Sequence, residues 1–229
     1  MKLSKKDLLD IPVIALLLAN SIPLFGVLFL DWDAFYIVLL YWTENIVIGF
    51  YNVLKMVFAA VPHPIAHLGK LFLIPFFIVH YGGFTAVHGF FVMALFHDGG
   101  QGPPMGRMDW PCFLVFIQML FNIIRYMYSV IPSQVKLAVL ALFVSHGVSF
   151  VQNYLLKREY TTARPDKLMG SPYGRVVVMH ITILAGGFLT MVAGSPAPLL
   201  VVLVGLKTIL DVNLHNREHK KAAAIGRSS

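Results

Sequence analysis

Lys207, Asp211 and His215 stand four residues apart within, or at the edge of, an apolar run near the end of the chain. Asp211 and His215 therefore fall one turn apart on a single helix face. Ionisable groups inside a membrane span are costly and mark pathways, relays or binding sites. Other apolar segments carry possible partners: Glu44, His80, His88, His146 and His180. Imidazole and carboxylate together suit zinc, iron or manganese. Three imidazoles and a carboxylate from separate helices would make an open site of the catalytic type, with a bound water acidified by the metal. His80, His146, His180 and Asp211 are the expected metal ligands. Glu44 is the expected further ligand or general base, and His215 or Arg175 would place the substrate. The same residues also fit two other uses: a proton or ion pathway, and a metal-free polar network between helices.

The elements that would carry these residues follow from composition. Of 229 residues, 58% are hydrophobic and 13% charged, with a mean hydropathy of +0.74. A soluble chain of this size carries about 25% charged residues, so most of this surface is expected to face lipid. No stretch is polar enough for a separate soluble domain, and residues 1–229 read as one integral membrane domain. The net charge of +7 sits beside apolar segments, where orientation in the bilayer explains it better than nucleic acid does. Cys112 is the single cysteine, which excludes an intrachain disulfide and a thiolate cluster. Lys2, Lys5 and Lys6 precede a long apolar run without a clear small-residue cleavage site, so that run reads as a retained helix.

A span needs roughly 20 apolar residues. Residues 11–30, 34–59, 71–96, 111–131, 135–156, 174–194 and 198–215 qualify, separated by short linkers rich in Pro or Gly. If all seven cross, the basic cluster Lys157, Arg158, Arg164, Lys167 and Arg175 lies outside with the basic tail, against the positive-inside rule. If residues 111–131 do not cross, both clusters move inside, and Arg107, Arg125 and Lys136 remain outside. Gln118, Asn122, Arg125 and Ser129 form one polar stripe on that segment. Trp110, Tyr126 and Tyr128 suit an interface.

The expected fold is all-α: a transmembrane bundle of six crossing helices plus one amphipathic or re-entrant helix, the alternative being seven crossing helices. Both termini would face the cytoplasm at a bacterial inner membrane. Polar faces should turn inward: Tyr41, Asn45, Asn52 and Lys55 beside Glu44; Tyr81, Thr85 and His88; His146, Ser149 and Asn153. His80 and His88 are about 12 Å apart along a regular helix, too far to share an ion. Arg164, Lys167 and Arg175 could meet anionic lipid headgroups. His63 and His67 flank a Pro-rich turn and read as solvated. Lys207 needs an anionic partner, with Glu44 or Asp211 available.

Several motifs occur together: Tyr41-Trp42-Thr43-Glu44-Asn45, His80-Tyr81-Gly82-Gly83-Phe84 through His88-Gly89, Ser145-His146-Gly147, Pro172-Tyr173-Gly174-Arg175 with Met179-His180, and Lys207-Thr208 to Asp211 with His215. The set resembles a family of bacterial integral membrane proteins classified as a domain of unknown function, which implies a membrane location. More remotely, the chain resembles the adiponectin-receptor and alkaline-ceramidase superfamily, seven-helix hydrolases with an intramembrane zinc held by His and Asp. The departure is in the last helix, where Asp211 stands in place of the first His of an H-x-x-x-H pair. That likeness implies a reaction class, hydrolysis of a lipid-like or amide substrate. A proton- or ion-coupled transporter and a non-catalytic scaffold are the rival functions.

Overall fold

From Ala34 to Phe58 the chain has 25 residues whose only formal charges are Glu44 and Lys55, and it folds as one uninterrupted helix, α1. Apolar chains far from water have to satisfy their backbone amides internally, and a helix does so within one segment. The structure is a computed structural model and describes residues 32–61, 64–97 and 102–186, with positions 25, 29, 188, 189, 192, 201–206, 208 and 209. The described elements are helical: α1, then α2 (Pro64–Phe96), α3 (Leu114–Val130), α4 (Ser133–Ser149), α5 (Pro165–Gly170) and α6 (Tyr173–Ile181). No strand occurs among the described residues. Phe35–His180 forms one compact unit, and the geometry below belongs to it.

Four described helical stretches are long and apolar enough to cross a membrane: Ala34–Phe58, His67–Phe96, Ser133–Leu156 and Pro165–Ala185. The expected segment 11–30 lies outside the described residues apart from positions 25 and 29, and so do Lys207, Asp211 and His215.

One helix boundary differs from the expectation. Helix α2 begins at Pro64, inside what reads as a linker, because proline's fixed φ and missing N–H suit the first helical turn. Helix α4 continues past Ser149 as a π-helical stretch, Phe150–Leu156, so the helical run ends at Leu156 as expected. The basic connection after it is folded rather than open. It contains a 3₁₀ turn at Glu159–Thr161 and the short helix α5, and α6 already starts at Tyr173. Arg175 lies in the first turn of α6, at the start of the segment expected over residues 174–194.

Helices α1 and α2 lock together through two aromatic–glycine contacts. The indole of buried Trp42 donates from Nε1 to the Thr85 carbonyl at 2.8 Å, and its ring occupies the place a side chain at Gly89 would need. One turn further along, Tyr81 donates from its hydroxyl to the Asn45 carbonyl at 2.9 Å, and its ring lies against Gly49. The inward polar faces expected on α1 and α2 are present here, with Asn45, Asn52, Tyr81, Thr85 and His88 all buried, whereas on the third expected face Ser149 is exposed and His146 and Asn153 are only half-buried. Asn52 donates to the Leu168 carbonyl at 2.9 Å and ties α1 to α5. Met56, Phe77, Tyr81 and Val176 form the apolar cluster that joins α1, α2 and α6.

Helix α3 is a shorter apolar helix of 17 residues. Its polar stripe has a partner within the chain. Gln118 accepts from the Asp109 and Trp110 amides at 2.9 Å and donates to the Arg107 carbonyl at 3.0 Å. Asn122 donates to the Met105 carbonyl at 2.6 Å. Half of the stripe read as an interfacial face thus clasps the preceding loop. Near the other end of the bundle, Lys70 is buried and donates to the Val57 carbonyl at 2.9 Å and to the Ala59 carbonyl. A cation at the C-terminus of α1 satisfies carbonyls that the helix leaves open.

Candidate functional site

Helix α6 carries the candidate residues on two opposite faces. At 100° per residue, Tyr173 and His180 lie seven positions apart and share a face, while Arg175 points the other way. Each face meets a different set of partners.

On the Arg175 face, Arg175 Nη1 donates to Glu44 Oε1 at 3.1 Å. His146 Nε2 approaches the same oxygen at 4.0 Å. The three side chains come from α6, α1 and α4, and all are largely withdrawn from solvent, with Glu44 at 16% exposure. Tyr51 stacks on the His146 ring with centroids 6.4 Å apart and donates to the Phe143 carbonyl at 3.0 Å. Gly147 leaves the room that the Tyr51 hydroxyl fills. Carboxylate and guanidinium neutralise one another here, and pairing of this kind is how ionisable groups are kept at depth.

On the other face, helix α2 presents rings at intervals of four: Phe76, His80, Phe84 and His88. Phe76 stacks on His80 with centroids 5.1 Å apart; His80 meets Phe84 edge-on at 5.0 Å; Phe84 stacks on His88 at 6.4 Å. His80 Nδ1 lies 2.7 Å from the Tyr173 hydroxyl. His88 Nδ1 lies 2.6 Å from the Phe84 carbonyl, and His88 Nε2 lies 3.1 Å from His180 Nδ1. The rings of His88 and His180 meet edge to face at 78°. His88 is buried, whereas His80 and His180 are exposed.

These three imidazoles line one cavity of about 450 Å³, whose other walls are Phe76, Val79, Gly83, Phe84 and Val87 of α2 with Phe113 and Phe116. The volume falls within the range of small-molecule sites. The α2 residues recur at three and four, so the cavity runs along one face of that helix. Gly83 lets Phe116 approach, with 3.3 Å available to an added Cβ. The chemistry available is therefore an apolar trough with basic nitrogens along it.

The expected ligand set is divided by this arrangement. His146 stands with Glu44 and Arg175, while His80 and His180 line the cavity. Phe84 separates His80 from His88, as the 12 Å spacing along a regular helix requires. Asp211 and His215 lie outside the described residues. Among the described residues no three His, Cys, Asp or Glu side chains gather closely enough to hold a metal ion. Of the cations expected to meet headgroups, Arg164 is bound to Asp166 at 2.8 Å and Arg175 to Glu44. His67 is exposed, and His97 stacks on Phe35 at 4.7 Å.

Two site residues, His88 and Tyr173, are absent from the expected ligand and catalytic sets, although His88 stands among the possible partners. The signal for its place at the cavity is its spacing: it ends a Phe76-His80-Phe84-His88 ladder that a helical wheel places on one face. Tyr173 had a weaker signal, its seven-residue interval from His180.

The chain belongs to DUF6498, a family of unknown function whose profile matches residues 2–227. No curated protein and no solved structure matches it.

Proposed function

We propose that this chain is a membrane-embedded hydrolase that holds a lipid-like ester or amide in the cavity along α2 and cleaves it with His180. The observation that carries this reading is the cavity itself, with three imidazoles set into walls of Phe and Val. Apolar walls suit an acyl chain, and an imidazole is the side chain best matched to proton transfer near neutral pH. The four long apolar helices support a location in the bilayer, where such a substrate is at hand.

In this reading water attacks the substrate carbonyl carbon while His180 takes a proton from the water. The bond to the leaving oxygen or nitrogen then breaks, and the leaving group takes that proton back from His180. His80, in contact with the Tyr173 hydroxyl, stands on the same wall to orient the carbonyl. A divalent metal, the cofactor expected from the sequence, would use His180 as one ligand and would supply a water of lowered pKa.

Arg175, Glu44 and His146 serve to join helices in this reading. Their mutual pairing supports that role over a proton-coupled carrier, which needs groups free to release what they bind.

The test is incubation of purified protein in nanodiscs with glycerolipids, sphingolipids and N-acyl amides, followed by mass spectrometry of bound and released species. The expected result is a retained amphiphile and a released fatty acid, with release lost in His180→Ala. Neither retention nor release across the panel would overturn the reading. Elemental analysis of the same preparation, with and without chelator, separates proton transfer from metal ligation at His180.

A further inference from the structure

We infer that buried His88 is a positioning residue that decides which nitrogen of His180 faces the cavity. The inference rests on the hydrolase reading for its catalytic meaning, but its structural content stands on hydrogen bonding alone.

The Phe84 carbonyl can only accept a hydrogen bond. His88 Nδ1, 2.6 Å away, must therefore carry a proton. A neutral imidazole has one N–H, so His88 Nε2 is then bare and accepts. The nitrogen 3.1 Å from it is His180 Nδ1, which must donate. With both rings neutral, His180 Nε2 is left as a bare lone pair. A helix carbonyl thus sets the proton position in one ring, and that ring sets it in the next. Burial of His88 holds the ring in place. Exposed His180, whose ring contributes to the cavity wall, presents the nitrogen that results.

The same relation explains the spacing of the ladder. His88 reaches the Phe84 carbonyl because the two are four residues apart on one helix. It reaches His180 because α6 crosses that face of α2. His80 has no such anchor: its Nδ1 meets a hydroxyl, which can donate or accept. Of the three imidazoles, His180 is the one with a bare nitrogen at the cavity that the network itself specifies.

The experiment is ¹⁵N-histidine NMR on the full chain in nanodiscs, since protonated and bare ring nitrogens have well-separated shifts. His180→Gln and His88→Gln identify the two signals among the nine histidines. The expected spectrum has both rings protonated at Nδ1, the minor tautomer of free histidine. His88→Leu removes the acceptor and should return His180 to the Nε2–H form. His88→Gln restores an acceptor oxygen at the same place and should keep His180 protonated at Nδ1. It also guards against a folding defect in the leucine variant. Hydrolysis should fall about 10- to 100-fold in His88→Leu and recover in His88→Gln.

An Nε2–H or doubly protonated His180 in the wild type would overturn the inference. So would a tautomer unmoved by His88→Leu, or a metal-type shift at His180 Nδ1. The two proposals fail separately. Nδ1–H rings in a protein that neither binds nor cleaves amphiphiles would retire the hydrolase and leave the relay. Hydrolysis with a mixed His180 tautomer would do the reverse.

Discussion

Arg175 and Glu44 are 131 residues apart in the chain, yet the guanidinium Nη1 lies 3.1 Å from the carboxylate Oε1. The contact links α1 to α6, and it turns Arg175 away from the cavity that His180 lines. Two chemically distinct faces of one short helix follow from it.

Arg175→Ala leaves a largely buried carboxylate without its counter-charge. The expected loss of stability is about 2–3 kcal/mol, read as a lower melting temperature in detergent. Glu44→Gln in the same background should recover part of that loss, because the stranded charge is removed. A melting temperature unchanged by Arg175→Ala would reduce the pair to a solvated surface contact.

The glycines of α2 are not equivalent. Gly89→Ala drives a methyl group into the Trp42 ring, which is 1% exposed and hydrogen-bonded in place, and should cost about 1–3 kcal/mol. Gly69→Ala meets nothing within 4 Å and should stabilise by about 0.5–1 kcal/mol through helix propensity. Thermal unfolding of both variants side by side checks the opposite signs.

Gln118→Leu should release the loop before α3 without unwinding the helix. The Asp109 and Trp110 amides lose their acceptor, so their hydrogen exchange should accelerate while α3 stays protected. Equal protection in the variant would mean that the clasp is incidental.

His180→Ala should lower hydrolysis by about 10²- to 10⁴-fold, the range for loss of a general base, with little change in melting temperature because the residue is exposed. His146→Ala, which changes the opposite face, should show the converse: retained hydrolysis and reduced stability. Fatty-acid release and unfolding measured on the same preparations separate the two. Loss of hydrolysis in His146→Ala with the fold intact would move the chemistry to the Glu44 cluster.

The helices were legible in the sequence because apolar length and Pro/Gly punctuation are local properties. The segment expected over residues 34–59 is found as Ala34–Phe58, and that expected over 135–156 lies within Ser133–Leu156. Inward faces were legible on α1 and α2 for the same reason: Asn45, Asn52, Tyr81, Thr85 and His88 follow helical periodicity and are buried, but the face of His146, Ser149 and Asn153 is not, with Ser149 exposed. The folded connection before Arg175 was harder to read, since Pro165 and Gly174 look like loop residues until their places in helical first turns are seen.

By itself the sequence determined an all-helical, apolar chain and named which side chains had chemistry to offer. It could not decide which of them meet. Composition and spacing place a residue on a face of its own helix, but the neighbour of that face depends on how helices cross. Only the packing of α6 against α1 and α2, and of α4 against α1, assigned Arg175 and His146 to Glu44 and brought His180 to His88. Crossing is decided by shape fit at contacts such as Trp42 on Gly89 and Tyr81 on Gly49, between residues some tens of positions apart, and no local pattern encodes it.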